Sequence, residues 1–66
     1  MHVIINGEAQ TLTAGLTVAD LIGQLGLNQH RIAVELNREI VVRERYGERA
    51  LSEGDQIEIV HFVGGG

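Results

Sequence analysis

The feature that most constrains the fold is one short helical pattern between Thr17 and Gly26, with strand patterns on both sides of it. Thr17 is a good N-cap, and Asp20 is placed three residues later to complete a capping box. The apolar residues at helical spacing form one stripe, namely Val18, Leu21, Ile22 and Leu25. Gly26 suits a left-handed C-cap. A helix of about two turns is unstable alone, so it must pack on a sheet.

The first strand pattern lies before this helix. Val3 to Asn6 is a β-rich run, and Asn6-Gly7 is a strong hairpin signal because both residues tolerate positive φ. The returning strand is expected over Glu8 to Thr13, with Leu12 facing the core. The chain therefore opens with a predicted hairpin.

The second half of the chain predicts three more strands. The alternation of Ile32, Val34 and Leu36 is typical of a half-buried strand. The remaining expected segments are a turn at Asn37-Arg38, a short strand at Glu39 to Val41, a polar irregular stretch from Arg43 to Arg49 anchored by Tyr46, and a last strand from Gln56 to Phe62. This order favours an α+β fold, in which one mixed sheet has its last strand beside its first and the helix packs across one face.

The last strand carries apolar residues on both faces. Ile57 and Ile59 are expected to point toward the helix, which directs Val60 and Phe62 to the other face, with Ile4 of the first strand beside them. Apolar surface of this kind is common on monomers. An exposed apolar patch next to a functional terminus is also typical of an interface, and the hypothesis is that Ile4, Val60 and Phe62 dock a partner.

Composition narrows the classes of function. The chain of 66 residues predicts one domain, over residues 1–62, with little volume for an enzyme pocket. Its net charge of -4 and two aromatic residues, one Tyr and one Phe, are unfavourable for binding nucleic acid and favour a protein partner with a basic face. No apolar run has the length of a membrane span, no signal peptide is expected at the N-terminus, and the lack of Cys fits the cytoplasm.

Catalytic and metal-binding groups are also scarce. The chain contains neither Lys nor Cys, which removes the commonest covalent nucleophiles. His2, His30 and His61 are far apart and lack metal-ligand spacing. Ser52 belongs to the turn before the last strand, and no base that would activate it is in view. The expectation is a protein that has no catalytic site, bound cofactor or metal of its own.

The strongest signal is the final segment, Val63-Gly64-Gly65-Gly66. A frayed end and a cloning remnant are two alternatives, whereas a phosphate-binding loop needs a helix after the glycines. Residues 63–66 are predicted to form a flexible tail, since glycine lacks Cβ. Gly64 and Gly65 could be threaded into a narrow channel of a partner, and this would present the unbranched carboxylate of Gly66. Adenylation by ATP would make that carboxylate reactive, and a sulfur nucleophile could then displace AMP and leave a thiocarboxylate.

Several motifs together resemble one family. They are Asn6-Gly7, Thr17-Val18, the run from Val34 to Val41, Arg43 to Tyr46, Gly54 to Val60, and the ending from Phe62 to Gly66. With this length, they make the chain similar to the ThiS family of thiamine-biosynthesis sulfur carriers, which has the β-grasp, ubiquitin-like fold. The resemblance covers essentially the whole chain. The glycine terminus alone is shared with ubiquitin, so the middle segment makes the match specific.

The resemblance implies a set of partners and a modified residue. An E1-like adenylating enzyme would activate Gly66 with ATP and magnesium, and a cysteine desulfurase or another persulfide donor would supply sulfur. The Gly66 thiocarboxylate would then deliver sulfur to thiazole synthase. Gly65 corresponds to the second residue of the family's terminal Gly-Gly, and Gly64 is an additional glycine that loosens the arm.

Three other functions stay open on the residues. A sulfur carrier of molybdenum-cofactor synthesis shares the fold and chemistry, although that family is usually longer and richer in aromatic residues. A ubiquitin-like modifier would form isopeptide bonds with lysines of target proteins. An interaction domain with an inert tail would keep its function after the last two glycines were removed.

Overall fold

One mixed five-stranded sheet, with one α-helix, makes up the part of the chain that the computed structural model describes, residues 1–62. The strands are β1 (His2–Ile5), β2 (Glu8–Thr11), β3 (Ile32–Leu36), β4 (Glu39–Val41) and β5 (Gln56–His61), and the helix is α1 (Val18–Gln24). Two 3₁₀ helices, Gln29–Arg31 and Arg43–Arg45, lie in the connections.

The strand order is β2-β1-β5-β3-β4. The last strand is parallel to β1 and antiparallel to β3, while the two hairpins β1–β2 and β3–β4 flank this centre. The predicted α+β fold is confirmed, including the position of the last strand beside the first. The C-terminal strand is therefore the central strand of the sheet.

Both predicted hairpin turns are confirmed. Asn6 and Gly7 have φ of 49° and 83°, and they connect the facing pair Ile5 and Glu8. The second turn also uses two positive φ values, 52° at Asn37 and 71° at Arg38. Two-residue turns of this kind match the right-handed twist of the strands, which explains why these dipeptides end β1 and β3.

Three strand boundaries were predicted too far toward the C-terminus. The first strand begins at His2 and ends at Ile5, because Asn6 is needed in the turn. The second ends at Thr11, although the N–H of Leu12 still donates to the carbonyl of Met1 at 2.8 Å and its side chain packs against the core. The last strand ends at His61, one residue before its predicted end.

The caps of α1 agree with the sequence prediction. The Thr17 side chain accepts from the N–H of Asp20, whose carboxylate accepts from the N–H of Thr17. At the other end Gly26 has φ of 70°, and the N–H of Leu27 donates to the carbonyl of Ile22 at 3.1 Å, as in a Schellman motif. The helix is therefore closed at both ends within the predicted residues.

One member of the predicted stripe lies outside the core. Val18, Leu21 and Ile22 are buried, whereas Leu25 is 41% exposed. The prediction that Leu25 belongs to the buried stripe was therefore wrong. Leu25 is the C-cap, where the chain leaves the helix toward Gly26, and the sheet no longer covers its side chain.

The core lies between α1 and the inner face of the sheet. Its buried residues are Val3, Ile5, Val18, Leu21, Ile22, Ile32, Val34, Leu36, Tyr46, Leu51, Ile57 and Ile59. The predicted anchor of the irregular stretch, Tyr46, is 3% exposed, and burial raises the pKa of its phenol. The carbonyl of Tyr46 also accepts from the N–H of Ala19, so the connection between β4 and β5 contacts the first turn of the helix.

Candidate functional site

The candidate site is the C-terminal end of β5, from which residues 63–66 continue the chain. Gly64, Gly65 and Gly66 lie outside the described residues, so their predicted roles stay predictions. The described residues do show how β5, the strand that precedes this segment, is held in the sheet. As the central strand, β5 pairs with β3 from Ile57 to His61, whereas β1 pairs with it only at Gln56 and Ile57.

The asparagine of the first hairpin turn holds the far end of β5. Its side-chain amide donates to the carbonyl of Ile59 at 3.1 Å, and its side-chain carbonyl accepts from the N–H of Ile59 at 2.7 Å. The Asn6 carboxamide thus replaces one backbone residue beside β5. This use of Asn6 was absent from the sequence prediction, since Asn-Gly signals only a turn.

The outer face of β5 is apolar at its end. Val60 and Phe62 are 57% and 58% exposed, while Ile57 and Ile59 are buried on the inner face. The predicted orientation of these four side chains is confirmed. The described chain therefore ends next to two large exposed apolar side chains.

The third proposed docking residue lies elsewhere on that face. Ile4 is 38% exposed and is level with Gln56 in the β1–β5 register. Val60 is four residues further along β5, which corresponds to about 13 Å at about 3.3 Å per residue. The expectation that Ile4 sits beside Val60 and Phe62 was therefore wrong, because the parallel register offsets the two groups along the sheet.

Two features of the outer face were missed from the sequence. Glu35 and Glu58 are directly paired across β3 and β5, and both are exposed. Like charges in facing positions destabilise a sheet, and a cation of a partner would relieve that repulsion. On β4, Ile40 faces Glu35 across the sheet and is 76% exposed. The register of β3 against β5, which sequence patterns leave undetermined, decides the pairing of Glu35 with Glu58. The pairing of Ile40 with Glu35 follows from the two-residue turn at Asn37-Arg38.

Hydrogen bonds between His2 and Glu53 connect the start of β1 to the turn before β5. The backbone N–H of His2 donates to Glu53 at 2.9 Å, and its Nδ1 lies 3.0 Å from the other carboxylate oxygen. The backbone hydrogen bond is the main reason that the pKa of Glu53 lies below its ordinary value. Both side chains are exposed, so this contact orders the turn before β5 more than it stabilises the fold.

One concave feature lies at the β4 side of the sheet, apart from the end of β5. An open cleft of about 400 Å³ is lined by β4 and the second 3₁₀ segment, with Ile40, Val42, Arg45 and Arg49 among its residues. Within residues 1–62, no group of three or more His, Cys, Asp or Glu side chains is arranged to hold a metal ion. In the same part of the chain, none of the helices is long and apolar enough to cross a membrane.

The fold and the site together define a class. A five-stranded mixed sheet with one helix across it, and a central last strand leading into a glycine segment, is the arrangement of β-grasp, ubiquitin-like proteins. Residues 3–66 match the sequence pattern of the ThiS family. The chain belongs to the ThiS family.

Individual relatives agree with this assignment. The chain is 35% identical to the sulfur carrier protein ThiS of Escherichia coli over 66 residues, the full length of both. It matches the crystal structure of the thiamine biosynthesis protein ThiS of Geobacter metallireducens with a TM-score of 0.86 and 33% identity, covering all of both chains.

A third relative is much longer. The whole chain is 46% identical to part of a thiazole synthase of Paramagnetospirillum magneticum. The chain spans about a fifth of the length of the thiazole synthases that it matches, 20% in each of two.

Proposed function

We propose that the chain carries sulfur for the synthesis of the thiazole of thiamine, as a thiocarboxylate on Gly66. The observation that carries the proposal is the family match over residues 3–66, which includes the whole glycine segment. The full-length similarity to a sulfur carrier protein supports it.

The chemistry needs an activated carboxylate, because a free carboxylate is a poor electrophile. An E1-like enzyme with ATP and magnesium forms the acyl adenylate of Gly66 and releases pyrophosphate. The terminal sulfur of a persulfide, made by a cysteine desulfurase or a similar donor, attacks the carbonyl and AMP leaves. A thiol then attacks the donor cysteine sulfur, forms a disulfide with it, and releases the thiocarboxylate of Gly66. The chain itself supplies the reacting carboxylate and the surface by which each enzyme recognises it.

Thiazole synthase is the proposed acceptor of the sulfur. Two proteins named thiazole synthase contain a segment similar to this entire chain. A carrier segment that is linked to an enzyme is present at a high effective concentration at that enzyme. Such a link is useful when the enzyme accepts sulfur from the carrier. This supports the thiazole branch over the molybdenum-cofactor branch and over a protein modifier.

The experiment is an intact-mass measurement after incubation of the chain with ATP, magnesium, the E1-like enzyme and a persulfide donor. The expected product has one oxygen replaced by sulfur, located at Gly66 by fragmentation. A mass gain that appears instead on lysines of other proteins, as conjugates of the chain, would support the modifier. An unchanged mass with an enzyme and donor that are active on another carrier would reject the proposal.

The end of β5 is the proposed surface for the E1-like enzyme. Val60→Arg and Phe62→Arg are each expected to lower kcat/KM for adenylation about tenfold or more, because each buries a charge in an apolar contact. The rate of adenylation is measured from the release of pyrophosphate. The exposed acidic pair Glu35 and Glu58 lies next to these residues and fits a partner with a basic face.

Val42→Arg is the matched control for this surface. Val42 is 54% exposed, close to the 57% of Val60, but it follows β4 at the other side of β3. Its kcat/KM is expected to stay within twofold of the unmodified chain, about 0.4 kcal/mol. Unimpaired adenylation of both the Val60 and Phe62 variants would reject this docking surface, with folding verified by circular dichroism.

A further inference from the structure

The backbone of β5 presents alternate residues to its two neighbours. Toward β3, the N–H of Phe62 donates to the carbonyl of Arg31 at 2.9 Å, and the N–H of Asn37 donates to the carbonyl of Gln56 at 2.8 Å. These bonds flank the facing pair Ile32 and His61, which is therefore the type without hydrogen bonds between its own members. The N–H and carbonyl of His61 point away from β3, to the side of β1.

On the β1 side, every second residue of this segment is hydrogen-bonded as far as Ile59, and the bonds stop before His61. The N–H of Ile4 donates to the carbonyl of Asp55 at 2.9 Å, and the N–H of Asn6 donates to that of Ile57 at 2.9 Å. The Asn6 carboxamide then makes both bonds to Ile59. The next residue on this edge is His61, and its N–H and carbonyl form no hydrogen bond with any residue of the described range 1–62.

The gap has a clear structural origin. Asn6 takes the left-handed conformation and, with Gly7, turns the chain into β2, which lies on the far side of β1. The side chain of Asn6 extends the edge by one residue, and nothing in residues 7–62 continues it. An unpaired strand edge is a template for an added strand.

We propose that this edge of β5, at His61, binds one extended backbone segment of thiazole synthase, which continues the sheet where Asn6 ends. The inference rests on the proposed function, in which thiazole synthase accepts the sulfur from Gly66 and therefore has to hold the glycine segment directly after Phe62. Glycines have no side chains, so the backbone N–H and C=O groups are the main polar groups by which an enzyme can hold them. Strand addition supplies such bonds, and His61 is the described residue where they would begin.

Hydrogen exchange at single amides is the direct test. With thiazole synthase in excess, the exchange rate of the His61 amide is expected to fall at least tenfold, an order of magnitude that corresponds to about 1.4 kcal/mol. The amide of Ile59 lies on the same edge and is already bonded to Asn6, so its rate is expected to change much less. An unchanged His61 rate in a saturated complex would overturn the inference.

A substitution can remove the N–H without removing the strand. His61→Pro deletes a donor that β3 does not use, and proline is tolerated at such strand positions. It is expected to weaken the binding of thiazole synthase about tenfold, since one net hydrogen bond contributes about 1 kcal/mol and the ring also obstructs an added strand. His61→Ala, which keeps the N–H, is expected to bind within twofold of the unmodified chain.

A synthetic chain with an ester in place of the Val60–His61 peptide bond removes only the N–H and covers the case in which the proline variant misfolds. Equal affinities of the ester chain and its amide counterpart would overturn the inference. So would protection of the His61 amide that rises with the concentration of this chain alone, because a second copy would then occupy the edge.

Failure of the proposed function looks different. If the unmodified chain forms a thiocarboxylate but His61→Pro binds thiazole synthase as His61→Ala does, the carrier function stands and the strand addition is wrong. If the unmodified chain does not bind thiazole synthase, the proposed acceptor is wrong and the inference falls with it.

Discussion

Removal of Gly65 and Gly66 is expected to abolish thiocarboxylate formation. This is the largest functional effect that we expect from any change to the chain. The shortened chain still ends in a glycine carboxylate, so only its reach changes. Two extended residues span about 7 Å. A misplacement of 1 Å can cost about a hundredfold in rate, so the yield in the intact-mass assay is expected to fall below detection.

Gly64→Ala is the control for this truncation. It keeps the length of the segment and the terminal pair Gly65-Gly66, and the additional glycine is proposed only to loosen the arm. Its thiocarboxylate yield is expected to stay within about threefold of the unmodified chain, about 0.7 kcal/mol. If the truncated chain acquired sulfur on Gly64 at the normal rate, the enzymes would be reading a glycine end of any length, and the specific role of Gly66 would be wrong.

Leu21→Ala is expected to cause the largest loss of stability. Leu21 is 1% exposed between α1 and the sheet. Truncation of such a side chain leaves a cavity and costs about 2–5 kcal/mol. A domain of this size has a free energy of unfolding of only about 3–5 kcal/mol. Thermal and urea unfolding followed by circular dichroism should show a chain that is largely unfolded at 37 °C, or one whose Tm has fallen by about 10 °C or more.

Leu25→Ala is the matched control, because it removes the same atoms from the same helix. Leu25 is 41% exposed at the C-cap, and the Schellman bonds beyond it use only backbone atoms. Its cost is expected to be below about 1 kcal/mol. Equal losses for the two variants would mean that the stripe predicted from helical spacing is buried throughout and that the observed exposure of Leu25 does not hold in solution.

Local chemistry explains the parts of the fold that sequence patterns predicted. The capping box of Thr17 and Asp20 and the left-handed Gly26 each depend on residues within one turn of the chain. The same holds for Asn6-Gly7, where positive φ selects the residue types. The stability of such features depends on the conformations of a few neighbouring residues, so the types of those residues are enough to predict them.

Register explains the parts that were predicted wrongly or missed. The distance between Ile4 and Val60 depends on how β1 slides along β5, and a parallel pair has no connecting turn that pins it. The facing carboxylates of Glu35 and Glu58 also follow from the pairing of β3 with β5, two strands that no short turn connects. The side chain of Asn6 reaches Ile59 across 53 positions of sequence.

The sequence alone determined the class of this protein: an α+β domain with an apolar end to its last strand, followed by three glycines. These properties follow from side-chain periodicity, turn chemistry and the lack of Cβ in glycine, all of which are local. Only the tertiary structure decided that Leu25 is exposed, that Ile4 is remote from Val60, and that no other part of residues 1–62 pairs with the edge of β5 at His61. Each of these depends on which strands meet and in what register, and that is settled by the packing of the whole core.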